Sequence, residues 1–185
     1  MNECQFSNIV LFEQYFKGLD LLIDGKIKII EASDSELKKL FHTLKHMSIH
    51  TVDLSYNQKL THIPKIFSTK VKVLDISNCG ICELPINLEH VEELNCSNNQ
   101  IKKLPNNLLK LKVLDISHNS LTELPKNMIS IYDMNLDFNE FSYIDITKFP
   151  KIGMKRLSVC YNKFQSIASI FANLKVDEFI YVGNY

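Results

Sequence analysis

Cysteines and histidines are the residues of this chain most able to do chemistry. Cys79-Gly80-Ile81-Cys82 is a C-x-x-C, the spacing of a redox pair or of half a zinc site. No second C-x-x-C follows, and no histidine stands at ligand spacing, so we read the pair as structural. His42 and His46 would share a helix face at i, i+4, with His50 and His62 nearby. No H-E-x-x-H pattern or carboxylate ligand completes them, which points to a solvated face. Cys160 is expected to face outward beside Tyr161, without a base to make it a thiolate. The sequence holds no P-loop, no G-x-G-x-x-G and no nucleophile elbow, and nothing in it asks for a cofactor or a metal. The expectation is a protein that is not an enzyme.

The elements that must position these residues repeat. Apolar anchors at Ile30, Val52, Leu74, Leu94, Leu114, Met134, Leu157 and Phe179 are separated by 22, 22, 20, 20, 20, 23 and 22 residues. Such a period means stacked coils. Alternation at Leu114, Asp115, Ile116 and Ser117 predicts a short strand with Leu114 and Ile116 inward, and Val113, Asp115 and Ser117 outward. So short a strand is stable only beside its equivalents, in a parallel sheet. Asn57, Asn99, Asn119, Asn139, Asn162 and Asn184 recur where the chain leaves the strand, with Cys79 in the third unit and Ser35 in the first. An amide can donate and accept there, which suits a buried turn. Pro64, Pro85, Pro105 and Pro125 then call for extended or 3₁₀ segments on the far side.

These units, clearest in V-K-V-L-D-I-S-N-C-G-I-C-E-L-P from Val71 and L-K-V-L-D-I-S-H-N-S-L-T-E-L-P from Leu111, resemble the leucine-rich repeat family in its short L-x-x-L-P form. The resemblance covers about residues 27 to 184. It implies an α/β repeat solenoid: a curved, right-handed superhelix with a concave parallel β-sheet, a convex side of extended or 3₁₀ segments, and a helical N-terminal cap. With twenty Lys against the single Arg156 and abundant Ile and Asn, the style is similar to leucine-rich repeat proteins of giant DNA viruses. The family's usual role implies a protein partner bound on the concave face. The other reading is a recognition domain of a larger signalling or effector enzyme, such as a ubiquitin ligase.

Outward positions read as columns. Between the strand anchors stand Glu31, Asp53, Asp75, Asn95, Asp115, Asn135, Ser158 and Ile180, an acidic column through the first five units. Just before each first anchor, Asp133 and Arg156 add outward charge. Just before the asparagines stand Asp34, Tyr56, Asn78, Asn98, His118, Phe138, Tyr161 and Gly183. Aromatic residues beside acidic ones have the composition of an interface hot spot. The candidate contact set is therefore Tyr56, Asp75, Asp115, His118, Asp133, Phe138, Arg156 and Tyr161, and the expected partner is a protein with a basic segment. The acidic column also has a purely structural reading, since Asp or Asn here with Ser two residues on can bond to neighbouring strands.

Composition narrows the rest. The 185 residues carry 21 basic and 21 acidic side chains, a zero net charge that argues against a nucleic-acid binder or a polybasic membrane anchor. No run approaches the length of a membrane span, and no basic leader precedes the first apolar stretch. Five cysteines without paired clusters suit a reducing compartment, hence the cytoplasm or a host cytoplasm. We divide the chain into an N-terminal cap, 1–26, and a repeat domain, 27–185, of about seven full repeats plus a terminal strand. The cap is read as a helix from Ser7 or Asn8 to Gly18, followed by a possible hairpin around Asp24-Gly25. Ser33 to Glu36 resembles a capping box, so the first unit is either helical on its far side or a plain repeat. At the last unit three readings stay open: the natural chain continues, aromatic residues shield the edge, or the edge pairs with another molecule.

Overall fold

A computed structural model describes residues 19–22, 26–29, 35, 37, 42, 49–63, 71–126, 128–150, 153–172 and 174–184. Among the described residues nine short strands run in chain order: β1 (Leu19–Leu22), β2 (Lys26–Ile29), β3 (Thr51–Asp53), β4 (Val73–Asp75), β5 (Glu93–Asn95), β6 (Val113–Asp115), β7 (Asp133–Asn135), β8 (Met154–Ser158) and β9 (Val176–Ile180). They form one sheet in which spatial order equals chain order. β1 pairs antiparallel with β2, and every later neighbour is parallel.

The register follows the anchors. Val52, Leu74, Leu94, Leu114, Met134, Leu157 and Phe179 are successive partners across the sheet. The first unit corrects the sequence reading, because Val52 pairs with Ile27 rather than Ile30. Ser35, Leu37 and His42 are helical. A helix advances about 1.5 Å per residue against about 3.3 Å for a strand, so a coil containing one needs more residues to return to the sheet. Lys28 thus takes the mid-strand step given above to Glu31, and the acidic column begins at Asp53. Ser35 is an exposed helical residue and not a strand exit. The hairpin reading holds with a longer connection, since Leu22 pairs with Lys26 and three residues intervene. The helix expected from Ser7 to Gly18 lies outside the described residues.

Each coil closes on an apolar interior. The second anchors Leu54, Ile76, Cys96, Ile116, Leu136 and Val159 are fully buried, as are Ile81, Ile101, Leu121 and Phe141 after the turn. Full burial of one such aliphatic side chain is worth roughly 1.5–3 kcal/mol, and the stack sums it coil after coil. The side opposite the sheet has no helix around Pro85, Pro105 and Pro125, consistent with proline's missing donor. A 3₁₀ turn at Ile146–Lys148 and a short helix at Ile167–Phe171 depart from this in the last coils. No helix among the described residues is long and apolar enough to cross a membrane.

Candidate functional site

What positions the outward side chains is the turn that ends each strand. Asn119 shows the device: its amide donates to Cys96 O (3.0 Å), Ile116 O (3.2 Å) and Ser117 O (3.1 Å), and its oxygen accepts from Ile101 N (2.9 Å). Asn99, Asn139 and Asn162 repeat this pattern in their own coils. Cys79 does substitute in the third unit, its thiol donating to Leu54 O at 3.2 Å and Ser77 O at 3.4 Å. Burial raises the pKa of that thiol and raises that of the Cys96 thiol well above its ordinary value, which keeps both protonated. Cys160 corrects the sequence reading. It is buried, at the step occupied by Ser55, Ser77, Ser97 and Ser117, which are themselves buried rather than outward.

The reason for that burial is the mid-strand column. Asp115 Oδ1 accepts from Ser117 N (2.9 Å) and Ser117 Oγ (2.7 Å), while its Oδ2 accepts from Asn135 Nδ2 (3.2 Å). Asp75 does the same with Ser77 N (2.9 Å) and Asn95 Nδ2 (3.0 Å). The alternation of Asp with Asn from β4 to β7 puts an amide between carboxylates that would otherwise repel across the sheet. In the next coil the arrangement shifts. Ser158 replaces the acid, and Asp137 of the preceding coil accepts from Ser158 Oγ (2.6 Å) and Cys160 N (2.7 Å). Asp137 was missed in the sequence because the columns were compared at the aromatic step. Its signal is an acid where four earlier units have serine.

The second row lies just past the strands. Tyr56, Asn78, Asn98, His118, Phe138 and Tyr161 all have φ between 51° and 63°, and Gly183 closes the row at 74°. A left-handed residue with a side chain costs roughly 1–2 kcal/mol, least for asparagine. Three aromatic rings nevertheless occupy consecutive positions. His118 stacks on Phe138 at 4.1 Å and 12°, and Phe138 on Tyr161 at 4.4 Å and 14°. These separations follow from the spacing of parallel strands, about 4.8 Å. Beyond Tyr161, a Cβ on Gly183 would stand 2.5 Å from Tyr161 Cδ1, so the glycine leaves room for the last ring. The ring edges stay accessible: Phe138 is 42% exposed and Tyr161 51%.

Of the candidate set, then, His118, Phe138 and Tyr161 form one contiguous row. Tyr56 is exposed in the same row but two asparagine coils away from His118. Asp133 and Arg156 are direct cross-strand partners on β7 and β8, and Arg156 Nε lies 3.8 Å from Glu178 Oε2 on β9. Glu93, at the equivalent step of β5, is exposed and belongs with them. At the start of the strands Glu92 bridges Lys72 (3.1 Å) and Lys112 (2.6 Å). The hydrogen bond from Lys112, then that from Lys72, lowers the Glu92 pKa, and Glu92 raises that of Lys112. The sheet face is thus zoned, with lysines toward the strand starts, carboxylates across the middle and stacked rings past the ends. Among the described residues no group of three or more His, Cys, Asp and Glu side chains could hold a metal ion.

Comparison with known proteins assigns the frame. Residues 90–111 and 110–131, two adjacent coils that share the register and asparagine turns of their neighbours, match the Leucine Rich Repeat family. No curated protein matches the chain in sequence.

Proposed function

The chain is built from leucine-rich repeats, and we propose that it is a non-catalytic interaction module that binds a protein partner on the concave face of its sheet. In this reading the coils form a curved, right-handed superhelix with a helical N-terminal cap. The partner supplies a basic segment to the carboxylates and an apolar residue to the rings of His118, Phe138 and Tyr161. The observation that carries it is the ring row: three aromatic side chains accept a left-handed backbone where asparagine serves in the two preceding units. Their mutual stacking returns only about 0.5–1.5 kcal/mol per pair, comparable to the backbone cost, so folding alone gives no strong reason for rings there. Charge supports the choice of partner. Asp75, Glu93, Asp115, Asp133 and Asp137 lie on β4 to β7 or just after them, with Lys155 and Arg156 as the bases on β8. The two best-placed residues, Asp133 and Phe138, lie on and just beyond β7.

Tyr56, Asp75 and Asp115 complete the proposed contact set, with Asp75 and Asp115 also holding the sheet together. We place the protein in the cytoplasm, a reading supported by the four described cysteines being free thiols. Affinity capture with the unaltered chain, compared with a Phe138→Ala, Tyr161→Ala double variant, tests the proposal. Partners lost with the double variant and kept by a far-side Ile86→Ser variant support it. Equal capture by all three proteins overturns it.

A further inference from the structure

The row of rings is closed on one side and open on the other. Beside Tyr161 stands Gly183, where an added Cβ would lie 2.5 Å from Tyr161 Cδ1, so main chain takes the place next to that ring. On the opposite side the preceding place in the row belongs to Asn98. Its backbone repeats that of His118: both have φ of 53°, and Asn98 N donates to Ser117 O as His118 N donates to Asp137 O, each at 2.9 Å. A side chain at Asn98 therefore leaves the backbone in the direction that carries His118 against Phe138. Those two rings stack at 4.1 Å, and the same step taken once more marks a ring-sized place on the outer face of His118, above Asn98. Asn98 and His118 are both exposed, and among the described residues no ring other than Phe138 stacks on His118.

The charge around that place is negative. Asn98 follows β5, which carries the exposed Glu93, and the strands on either side end in Asp75 and Asp115. Lys72 and Lys112 lie at the strand starts, where both are bound to Glu92. We propose that the basic segment of the partner sets an arginine here, its guanidinium flat on the outer face of His118 and its N–H groups toward the amide oxygen of Asn98, a proposal that rests on the sheet-face reading above and names the residue that reading requires. A guanidinium is planar and weakly hydrated and stacks on aromatic faces, whereas an ammonium is a compact, strongly hydrated charge with no flat side. An aromatic residue in the same place would stack as well but gain nothing from the carboxylates. The exposed edge of Phe138 lies two coils from Asn98, about 9.6 Å at the usual strand spacing, and three extended residues span about 10 Å. The segment thus reads Arg-x-x-apolar, with the apolar residue on Phe138.

The test is a titration of the isotope-labelled full chain with the peptide acetyl-Arg-Ser-Ser-Leu-amide, followed by nuclear magnetic resonance. Saturable binding is expected, with cross-relaxation between the arginine δ-methylene and the His118 ring and between the leucine methyls and the Phe138 ring. Exchanging the peptide's arginine for lysine should weaken binding about two- to fivefold, the worth of an exposed cation on an aromatic face. Asn98→Leu fills the place without offering a flat surface and should weaken the Arg peptide at least as much, with the His118 contact gone. Asn98→Gly keeps the left-handed turn and the open place and should bind within about twofold of the unaltered protein, as should Ile86→Ser on the far side. The lysine exchange needs no protein variant, so the proposal stays testable even if Asn98→Leu does not fold. Four results overturn it: no saturable binding, equal affinity for the Lys peptide, tighter binding of a Phe-Ser-Ser-Leu peptide, or contacts away from His118. A failed titration beside a capture that does depend on Phe138 and Tyr161 retires the arginine place and leaves the sheet-face reading standing. Arginine seated on His118 beside a capture indifferent to those two rings does the reverse.

Discussion

Replacing Asn119 with alanine tests the turn on which every outward side chain depends. Three carbonyls lose a donor, but each retains another: Cys96 O from Asn99 (3.1 Å), Ile116 O from Asn139 (2.9 Å) and Ser117 O from Asn98 N (2.9 Å). The amide of Ile101 loses the oxygen that accepts it, inside a coil whose Ile101 side chain is fully buried. An orphaned buried donor costs about 1–3 kcal/mol, and the three weakened acceptors add a further ~1 kcal/mol together. The expected loss is about 2–4 kcal/mol. For a chain of this length that lowers Tm by roughly 5–15 °C. Urea unfolding followed by far-ultraviolet circular dichroism reads it, with exposed Asn106→Ala as the control, expected within about 0.5 kcal/mol of the unaltered protein. An Asn119→Ala variant no less stable than Asn106→Ala would refute the reasoning, because the coils would then be held by apolar packing alone.

Other variants probe the neighbouring parts of the frame. Cys79→Asn should stabilise by about 1 kcal/mol in the same unfolding assay, because an amide replaces a weak thiol donor and adds an acceptor; a loss of stability would contradict the equivalence of Cys79 with the asparagines. Gly183→Ala should cost about 1–3 kcal/mol through its left-handed backbone and the close approach to Tyr161, and should alter the ring-current shifts of Phe138 and Tyr161; unchanged shifts would mean the row does not end as described. Glu92 has a folded pKa below its unfolded one, so its stabilisation is fully present above the unfolded value and is lost as pH falls through the folded value. The stability difference between the unaltered protein and Glu92→Gln should therefore shrink on acidification from about pH 5 to pH 3; a constant difference would dismiss the Lys72–Glu92–Lys112 cluster as a contributor.

Much of this molecule could be read from its spacing. Seven of the eight anchors, the asparagine turns and the Cys79 substitution follow from a periodicity that is itself the length of chain in one coil. The first coil could not be placed this way, since Ile27, Ile29 and Ile30 all suit an anchor and only the helical path through Leu37 decides between them. The ring row was legible as a column of residue types, but its stacking was not, because the left-handed backbone that orients His118, Phe138 and Tyr161 leaves no mark in their identities. The buried serines misled in the opposite direction. Alternation places Ser117 outward, and only the carboxylate of Asp115 folding over it removes it from solvent. Asp137 shows the limit of single columns, for its partners Ser158 and Cys160 lie in the next coil.

The most direct measurement of the central claim is hydrogen exchange of the chain with and without a captured partner, resolved by mass spectrometry. Binding on the sheet face predicts slower exchange in peptides spanning 132–138 and 155–161, with 82–90 and 102–107 on the far side unchanged. Protection confined to the far-side peptides, with the ring row exchanging as in the free chain, would contradict the account.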